Sequence, residues 1–212
     1  MPLKAAIVPV TPFQQNCTLL WDEKSKAGAI VDPGGDLERI EEAIARHGLR
    51  PEKILLTHGH LDHAAGADEL KERLGGVPIE GPHIADKFLL EGLAAQAAAF
   101  GHFSARNVTP DRWLKEGDSV NAAGTTFAVL HCPGHSPGSV VMVDRGQRFA
   151  LVGDVLFRGS IGRTDFPYGD HAALIDAIKT KLLPLGDAIV FVCGHGPMSS
   201  FGEERKSNPF LQ

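Results

Sequence analysis

Residues 57–63 read Thr-His-Gly-His-Leu-Asp-His, which places three histidines and one aspartate within a single short stretch. Neutral imidazoles bind borderline metals such as Zn²⁺ through one ring nitrogen, and a loop can turn closely spaced side chains toward one point. His58 and His60 can hold one ion in this way. Asp62 and His63 are adjacent, so at a helix start they can reach a neighbouring position and serve a second ion. The stretch predicts a pair of metal ions.

The chain on either side of this stretch indicates a strand that passes into a helix. Residues 54–57 form an apolar run typical of a strand, and residues 64–74 are rich in Ala, Leu, Glu and Lys before Gly75 and Gly76. We therefore expect the four ligand candidates at the end of a strand.

The rest of the chain alternates between strand-like and helix-like segments. Seven further apolar runs predict strands, at residues 5–10, 17–21, 29–32, 125–130, 139–143, 149–152 and 189–193. Helices are predicted from Leu37, with Asp36 as N-cap and Gly48 as its end, and at residues 84–99 and 172–183. Residues 202–208 are polar enough to form a terminal helix turn or a tail. This order predicts an α/β fold in which helices cover the outer faces of sheets.

Length and composition indicate one ordinary globular domain. The 212 residues can bury a sizeable core as a single domain over 1–212, and 43% are hydrophobic against 22% charged. The formal net charge of -5 provides no basic field for nucleic acid or anionic lipid. We expect neither a nucleic acid nor a membrane as partner.

The cysteines and the N-terminus indicate a cytoplasmic protein. Residues 1–10 lack the pattern of a signal peptide, and no segment has the roughly 18 apolar residues of a membrane span. Cys17, Cys132 and Cys193 are odd in number and widely spaced, which favours a reducing compartment. The sequence leaves open whether the protein is a monomer or a small homo-oligomer.

Three more ligand candidates follow predicted strands. They are His135 in Pro-Gly-His, Asp154 in Val-Gly-Asp and His195 in Cys-Gly-His. Loops after strand ends collect functional residues from distant sequence, and neighbouring glycines allow close approach. Asp154 can bridge two ions through its two oxygens. Cys132 and Cys193 flank these loops, and we expect them to be small buried residues rather than ligands.

Together these motifs resemble the metallo-β-lactamase superfamily, and more closely its glyoxalase II branch of hydroxyacylglutathione hydrolases in the short bacterial form. The resemblance covers nearly the whole chain. The matching segments are residues 15–17, 32–35, 57–63, 133–138, 153–154, 194–196 and 203–210.

The resemblance implies a fold and a ligand set. The fold is a four-layer αβ/βα sandwich of two mixed sheets with helices on the outer faces. The first metal is assigned to His58, His60 and His135, the second to Asp62, His63 and His195, and Asp154 bridges the two. Asp62 and Asp154 are also the expected catalytic carboxylates, and Asp32 orients the ligand loop. Zinc is the first candidate for the two divalent ions, with iron and manganese as alternatives.

The resemblance also implies a reaction. A hydroxide held between two ions would attack the carbonyl of a small-molecule thioester such as S-D-lactoylglutathione. Two cations lower the pKa of a shared water toward about 7, so the nucleophile exists at neutral pH. A thiol with a pKa of about 8.5 can leave without a strong general acid.

Two departures from the longer glyoxalase II enzymes concern the glutathione contacts. We expect no separate C-terminal helical domain after residue 212, so other residues must supply those contacts. The Gly-Arg-Thr-Asp-Phe stretch at 162–166 keeps a cation at Arg163 but has Asp165 where longer enzymes carry an aromatic residue. We assign substrate contacts to Arg163 and Tyr168; the alternative for Arg163 is an ion pair with Asp165.

Two other functions remain open from the sequence. The stretch at 162–166 also occurs in persulfide dioxygenases of this superfamily, in which a single Fe²⁺ would be held by His58, His135 and Asp154. Alternatively, the metals could only stabilise a non-catalytic module. The complete ligand set and the tail at 203–210 favour the hydrolase.

Overall fold

Two mixed β-sheets form the centre of the computed structural model, which describes residues 3–101 and 105–212. The first sheet contains β1 (Leu3–Val10), β2 (Gln15–Asp22), β3 (Ala27–Val31), β4 (Arg50–Leu55) and β5 (Ile79–Glu80). These strands neighbour one another in chain order. β1 to β3 are antiparallel, whereas β3, β4 and β5 run parallel.

The second sheet has the order β13-β12-β9-β8-β7-β6. Its strands are β6 (Ser119–Ala122), β7 (Thr125–His131), β8 (Val140–Asp144), β9 (Phe149–Gly153), β12 (Val190–Cys193) and β13 (Ser199–Ser200). β12 and β9 are parallel, and the remaining neighbours are antiparallel. β10 (Leu156–Phe157) and β11 (Ser160–Ile161) form a separate small hairpin.

Helices cover the outer face of each sheet. They are α1 (Leu37–His47), α2 (Leu61–Ala64), α3 (Ala67–Arg73), α4 (Lys87–Glu91), α5 (Leu93–Phe100), α6 (His171–Ala177) and α7 (Phe201–Ser207). Ile40 of α1 and Leu70 of α3 pack into the cluster behind the first sheet, while Leu174 and Phe201 pack behind the second. In the described ranges, no helix is long and apolar enough to cross a bilayer.

A third apolar cluster lies between the two sheets. It joins Leu20 and Leu55 of the first sheet to Phe127 and Met142 of the second, and all four side chains are fully buried. Burying one such side chain contributes about 1.5–3 kcal/mol. The layers therefore run helix, sheet, sheet, helix, which confirms the predicted four-layer sandwich.

The strand pattern explains where polar side chains collect. β3 and β4 are parallel, as are β9 and β12, so the carboxyl ends of each pair meet at one edge of its sheet. Asp32 follows β3, His58 lies beyond β4, Asp154 follows β9 and His195 lies beyond β12. The backbone bridge between Gln15 and His195 connects the two sheets at this edge.

All eight predicted strands are present, with ends shifted by a few residues. The sequence did not predict the five short strands β5, β6, β10, β11 and β13. Four of these have only two residues each, too few to show an alternating apolar pattern.

Three predicted helices are interrupted, which corrects the expected boundaries. The helix at 64–74 becomes α2 and α3, because the N–H of Gly66 leaves the helical path to donate to the carbonyl of Pro33. The helix at 84–99 breaks into a 3-10 turn (Ile84–Asp86), α4 and α5 at Gly92. The helix at 172–183 continues from α6 as a π turn (Ile178–Leu182).

Of the two predicted ends of α1, the C-terminal one is confirmed in full and the N-terminal one only in its position. Gly48 ends the helix in the left-handed region, with φ of 60°, as predicted. Asp36 occupies the N-cap position but makes no capping hydrogen bond. Its carboxylate instead accepts from the backbone N–H of Thr11 at 2.8 Å, which ties the first loop to this helix.

Candidate metal centre

Three imidazoles from two loops converge at one point. Nδ1 of His60 lies 3.0 Å from Nε2 of His58 and 2.9 Å from Nε2 of His135. His58 and His60 come from the loop after β4, and His135 comes from the loop after β7. We call these residues the first triad. Nitrogen ligands of a tetrahedral zinc with bonds of about 2.0–2.1 Å lie roughly 3.3 Å apart, close to this spacing.

A second group lies on the other side of the same edge. Nε2 of His195 is 3.4 Å from Nε2 of His63 and 3.1 Å from Oδ2 of Asp62. Asp62, His63 and His195 form this second triad, and their ligand atoms all lie within 4.8 Å of one another. α2 carries Asp62 and His63, while the loop after β12 carries His195.

Asp154 stands between the two triads. Oδ1 lies 3.3 Å from Nε2 of His63, and Oδ2 lies 3.6 Å from Nε2 of both His135 and His195. Oδ1 is buried and has no hydrogen-bond partner among the described residues. A buried carboxylate oxygen without a partner is costly unless a cation satisfies it.

Each of the five histidines is held by the ring nitrogen that faces away from its triad. Nδ1 of His63 is 2.9 Å from Oδ2 of Asp32, and Nε2 of His60 is 2.9 Å from the hydroxyl of Tyr168. The other three contacts are His58 with Thr57 Oγ1 (3.1 Å), His135 with Arg163 O (2.9 Å) and His195 with Phe13 O (3.2 Å).

These hydrogen bonds determine which ring nitrogen of each histidine carries the proton and which keeps a lone pair. Backbone carbonyls and carboxylates can only accept, so Nδ1 of His63, His135 and His195 must carry the proton that is donated. In a neutral ring, Nε2 of each then keeps its lone pair and points into the site. Metal-binding histidines are held in this way in proteins, with the remote N–H bonded to an oxygen.

The electrostatics of the two triads differ. Burial is the main cause that lowers the pKa of His58, and it lowers the pKa of His60 to about 3, so both imidazoles are neutral near pH 7. Burial alone would lower the pKa of His63, but the carboxylates of Asp154 and Asp62 raise it. For Asp154 the signs are reversed: burial alone would raise the pKa of its carboxyl, but the nearby imidazole of His63 holds that pKa well below its usual range.

The donor set fits two divalent cations. It offers five imidazoles, each with one ring nitrogen facing the site, and charge from Asp62 and Asp154, and zinc, iron and manganese accept such ligands. In this arrangement a cation would replace the proton that His63 otherwise binds. The seven residues expected from the sequence are all brought together at this edge.

Two further side chains fix the ligand loops. Asp32 accepts from the backbone N–H of Thr57 at 2.8 Å and from its hydroxyl at 2.6 Å, in addition to His63. Asn16 donates from Nδ2 to the carbonyls of Cys193 (3.0 Å) and Gly196 (2.8 Å), on either side of His195. Asp32 therefore lies where the sequence placed it, beside the first ligand loop.

A cleft of about 570 Å³ opens onto the triads. Its walls are largely aromatic and apolar, with Phe13, Phe100, Phe157, Ile161, Phe166 and Tyr168 among the lining residues. Phe166 stacks on Tyr168, with ring centroids 5.3 Å apart. Of these six residues, only Tyr168 was predicted from the sequence as a substrate contact, because the others come from distant segments and no local pattern marks them.

Arg163 and Tyr168 both line the cleft, but their contacts differ from each other. The hydroxyl of Tyr168 contacts the first triad directly, at 2.9 Å from Nε2 of His60. The exposed guanidinium of Arg163 donates to both oxygens of Asp165 at 2.7 Å and lies 4.4 Å from the ring centre of Phe166. The structure thus contains the ion pair that the sequence offered as the alternative for Arg163.

The cysteines beside the loops are buried thiols. Burial raises the pKa of Cys132 to about 12 and that of Cys193 to about 11, so neither is a thiolate at neutral pH. The Sγ of Cys193 lies 3.0 Å from the carbonyl of His195 rather than facing either triad. This agrees with the expectation of small buried residues.

Comparisons with known proteins find relatives that cover almost the whole chain. Hydroxyacylglutathione hydrolase GloC of Haemophilus influenzae is 49% identical over 206 residues, covering 97% of this chain and 96% of that protein. A probable metallo-hydrolase of Bacillus subtilis, YqgX, is 36% identical and covers 96% and 95%.

Solved structures give the same result. The B3 metallo-beta-lactamase BLEG-1 superposes with a TM-score of 0.89 at 36% identity, covering 98% of this chain and 99% of its own. TTHA1623, solved in a di-iron-bound form, superposes with a TM-score of 0.85 at 38% identity, covering 97% and 100%. Residues 10–195 match the profile of the metallo-beta-lactamase superfamily, and the chain belongs to that superfamily.

Proposed function

We propose that the protein is a binuclear metal-dependent hydrolase that cleaves S-D-lactoylglutathione, or a related hydroxyacyl thioester, to the free acid and thiol. The observation that carries this proposal is the pair of triads with the Asp154 carboxylate between them. One oxygen of Asp154 faces His63 at 3.3 Å, and the other faces His135 and His195 at 3.6 Å. A carboxylate in this position can bridge two ions.

Two bound divalent ions would supply Lewis acidity and a water-derived nucleophile at neutral pH. The chain's own residues prepare the site for them. Asp32 and the carbonyls of Phe13 and Arg163 keep ring protons on the remote nitrogens of three histidines. Because a thiol with a pKa of about 8.5 leaves as the thiolate, the cleft needs no acidic side chain at the sulfur.

Two observations support a glutathione thioester as the substrate class. The relative GloC, at 49% identity over nearly the full length of both chains, is a hydroxyacylglutathione hydrolase. The cleft of about 570 Å³ is in the size range of small-molecule sites, roughly 300–1,000 Å³. Tyr168 and Arg163 stand at its wall as the polar contacts for the substrate.

Zinc is the first candidate for both ions, and iron and manganese also suit imidazole and carboxylate ligands. The related TTHA1623 was solved with two irons, so iron deserves equal testing. The three cysteines are free and buried, which supports the proposed reducing, cytoplasmic location. The cluster shared by both sheets supports the proposal that residues 1–212 form one domain.

The second triad favours hydrolysis over persulfide oxidation. A single iron on His58, His135 and Asp154 would leave Asp62, His63 and His195 without a metal. These three residues nevertheless converge. Nδ1 of His63 and Nδ1 of His195 each face an oxygen acceptor outside the site, as the outward ring nitrogen of His135 does in the first triad. Such anchoring is expected of metal ligands rather than of unused histidines.

The test is a pair of assays on one preparation with known metal content. Purified protein loaded with zinc, iron or manganese is given S-D-lactoylglutathione, and loss of the thioester is followed by absorbance. The same preparation is given glutathione persulfide while oxygen consumption is recorded. We expect thioester loss with about two metal ions per chain and no oxygen uptake.

A matched variant, His195→Asn, removes one ligand of the second triad. It should keep about one ion per chain and lose most thioester hydrolysis. Oxygen uptake by the one-ion form would support the dioxygenase instead. A fully loaded protein that cleaves no thioester and consumes no oxygen would favour the non-catalytic module.

A further inference from the structure

A completely buried carboxylate lies behind the first triad and takes no part in the proposed chemistry. Asp86 ends the 3-10 turn before α4 and has an exposed fraction of 0%. It occupies the N-cap position of α4 yet makes no capping hydrogen bond. A buried carboxylate is stable only where other groups satisfy its charge, so its partners indicate its role.

Those partners belong to the two loops that carry the first triad. Oδ2 of Asp86 accepts from the backbone N–H of Gly59 at 2.8 Å and from the hydroxyl of Ser136 at 2.7 Å. Oδ1 accepts from the backbone N–H of Gly138 at 2.6 Å. Gly59 separates His58 from His60, and Ser136 follows His135. One side chain therefore connects both ligand loops.

The hydrogen bonds of Asp86 lie close to the imidazoles of the first triad, so a small shift of Asp86 would move these ligands. At the base of the loops, the N–H of Val140 donates to the carbonyl of Thr57 at 2.8 Å, so the strands already hold the loops together there. Asp86 acts nearer the imidazoles. Hydrogen bonds from a carboxylate to backbone N–H groups are charge-assisted and stronger than neutral ones.

We propose that Asp86 is a positioning residue that sets the distance between the His58–His60 loop and His135, and thereby the metal affinity of the first triad. This proposal rests on the proposed function only in taking the first triad as a metal site. Among the hydrogen bonds of the described residues, none joins Asp86 to Asp62, His63 or His195. The second triad should therefore keep its affinity when Asp86 is changed.

The test is metal titration of Asp86→Asn. An asparagine side chain has one oxygen where Asp86 has two, and its NH₂ group can only donate. The NH₂ group would therefore face another donor, either the N–H of Gly138 or the N–H of Gly59 with the hydroxyl of Ser136. We expect the first triad to bind Zn²⁺ about 10–100-fold more weakly, as for other residues that support metal ligands. Chelator-stripped protein is titrated with Zn²⁺ against a chromophoric chelator, which measures binding without reference to hydrolysis.

Two reference variants show which Zn²⁺ binding step in the titration belongs to which triad. His135→Asn removes a ligand of the first triad, and His195→Asn removes one of the second. Asp144→Asn is the matched control, because Asp144 is also a buried carboxylate that accepts from a backbone N–H, at Gln147, and it lies in the β8–β9 hairpin. Asp144→Asn should leave both affinities unchanged.

Equal weakening of both triads, or no weakening in a folded Asp86→Asn, would overturn the proposal. Should Asp86→Asn fail to fold, Ser136→Ala removes only one of the three hydrogen bonds and should weaken the first triad in the same direction by a smaller factor. Unchanged binding in Ser136→Ala would then overturn it. Selective weakening would support the role of Asp86 even if the wild-type protein cleaved no thioester.

Discussion

Oδ2 of Asp32 lies 2.9 Å from Nδ1 of His63, on the side of the ring opposite the nitrogen that faces Asp154. Both side chains are almost fully buried. Because the carboxylate can only accept, it keeps the proton on Nδ1 and leaves Nε2 free for a cation. The same carboxylate holds the backbone and hydroxyl of Thr57, so it sets both the tautomer of His63 and the position of the first ligand loop.

Asp32→Asn should weaken metal binding about 10–100-fold. The amide can turn its NH₂ toward Nδ1 of His63, which would shift the ring proton to Nε2 and block that ligand atom. The measurement is Zn²⁺ competition with a chromophoric chelator. Asp36→Asn is the control, since the exposed carboxylate of Asp36 holds a backbone N–H but no ligand. Equal affinities for wild type and Asp32→Asn would contradict this prediction.

Tyr168→Phe should lower kcat/KM about fivefold while metal content stays constant. The variant keeps the ring stacked on Phe166 but loses the hydrogen bond to Nε2 of His60, a contact worth about 1 kcal/mol. Steady-state hydrolysis with elemental analysis measures both quantities. Tyr168→Leu, which also loses the stacking, should be slower still. An unchanged kcat/KM in Tyr168→Phe would show that the hydroxyl does not act through His60.

The sequence was sufficient to predict which seven side chains meet at one edge, because metal sites need particular side chains at short spacing. His58, His60, Asp62 and His63 stand together in the chain, and the later ligands follow strands whose ends meet at one edge. The apolar runs predicted eight of the strands and a layered α/β arrangement, and the family resemblance implied the four layers. Helix ends were less predictable, since the path after α2 depends on the contact of Gly66 with Pro33, more than thirty residues away.

Residues that act through tertiary contacts left no local signal. Asp86 belongs to no local motif, and only the fold shows that its partners include Gly59 and Gly138. The carbonyls of Phe13 and Arg163 anchor histidines through backbone atoms, so no side-chain pattern could reveal them. Arg163, predicted as a substrate contact, lines the cleft, and its contact with the first triad is made by its backbone carbonyl.

The metal-free protein should lose stability as the pH falls from about 6.5 to about 5. Folding lowers the pKa of His58 and His60, so the unfolded chain takes up protons in this range while the folded chain does not. His63 and His195 have raised pKa values and stay protonated in the folded chain, so their opposing contribution is confined to the upper end of this window, where the unfolded chain protonates them. Urea unfolding of chelator-treated protein at several pH values measures the effect.

His60→Gln is the variant that isolates one of these groups. It removes one site of proton uptake, so its free energy of unfolding should depend less steeply on pH over the same window. His171→Gln, an exposed histidine at the start of α6, is the control and should retain the wild-type slope. A free energy of unfolding that does not change over this window would contradict the prediction.

Gly194→Ala should reduce hydrolysis by more than about 100-fold, because displacing a reacting group by roughly 1 Å has effects of this size. A Cβ at this position would lie 2.0 Å from Oδ1 of Asp154 and 2.4 Å from Cε1 of His63. Either residue must then move. Gly146→Ala serves as control, since its Cβ would lie 3.3 Å from its nearest neighbour, on the β8–β9 turn. Full activity in Gly194→Ala would contradict the geometry described for Asp154.

The ion pair between Arg163 and Asp165 allows two roles of Arg163 to be separated. If the guanidinium binds a carboxylate of glutathione, Arg163→Ala should raise KM about tenfold, the value of one charged hydrogen bond, with little change in kcat. The substitution leaves the backbone carbonyl on His135 in place. Asp165→Asn would then release the guanidinium, and KM should fall or stay constant. If the pair only holds the loop, both variants should raise KM alike, which would remove Arg163 from the substrate site.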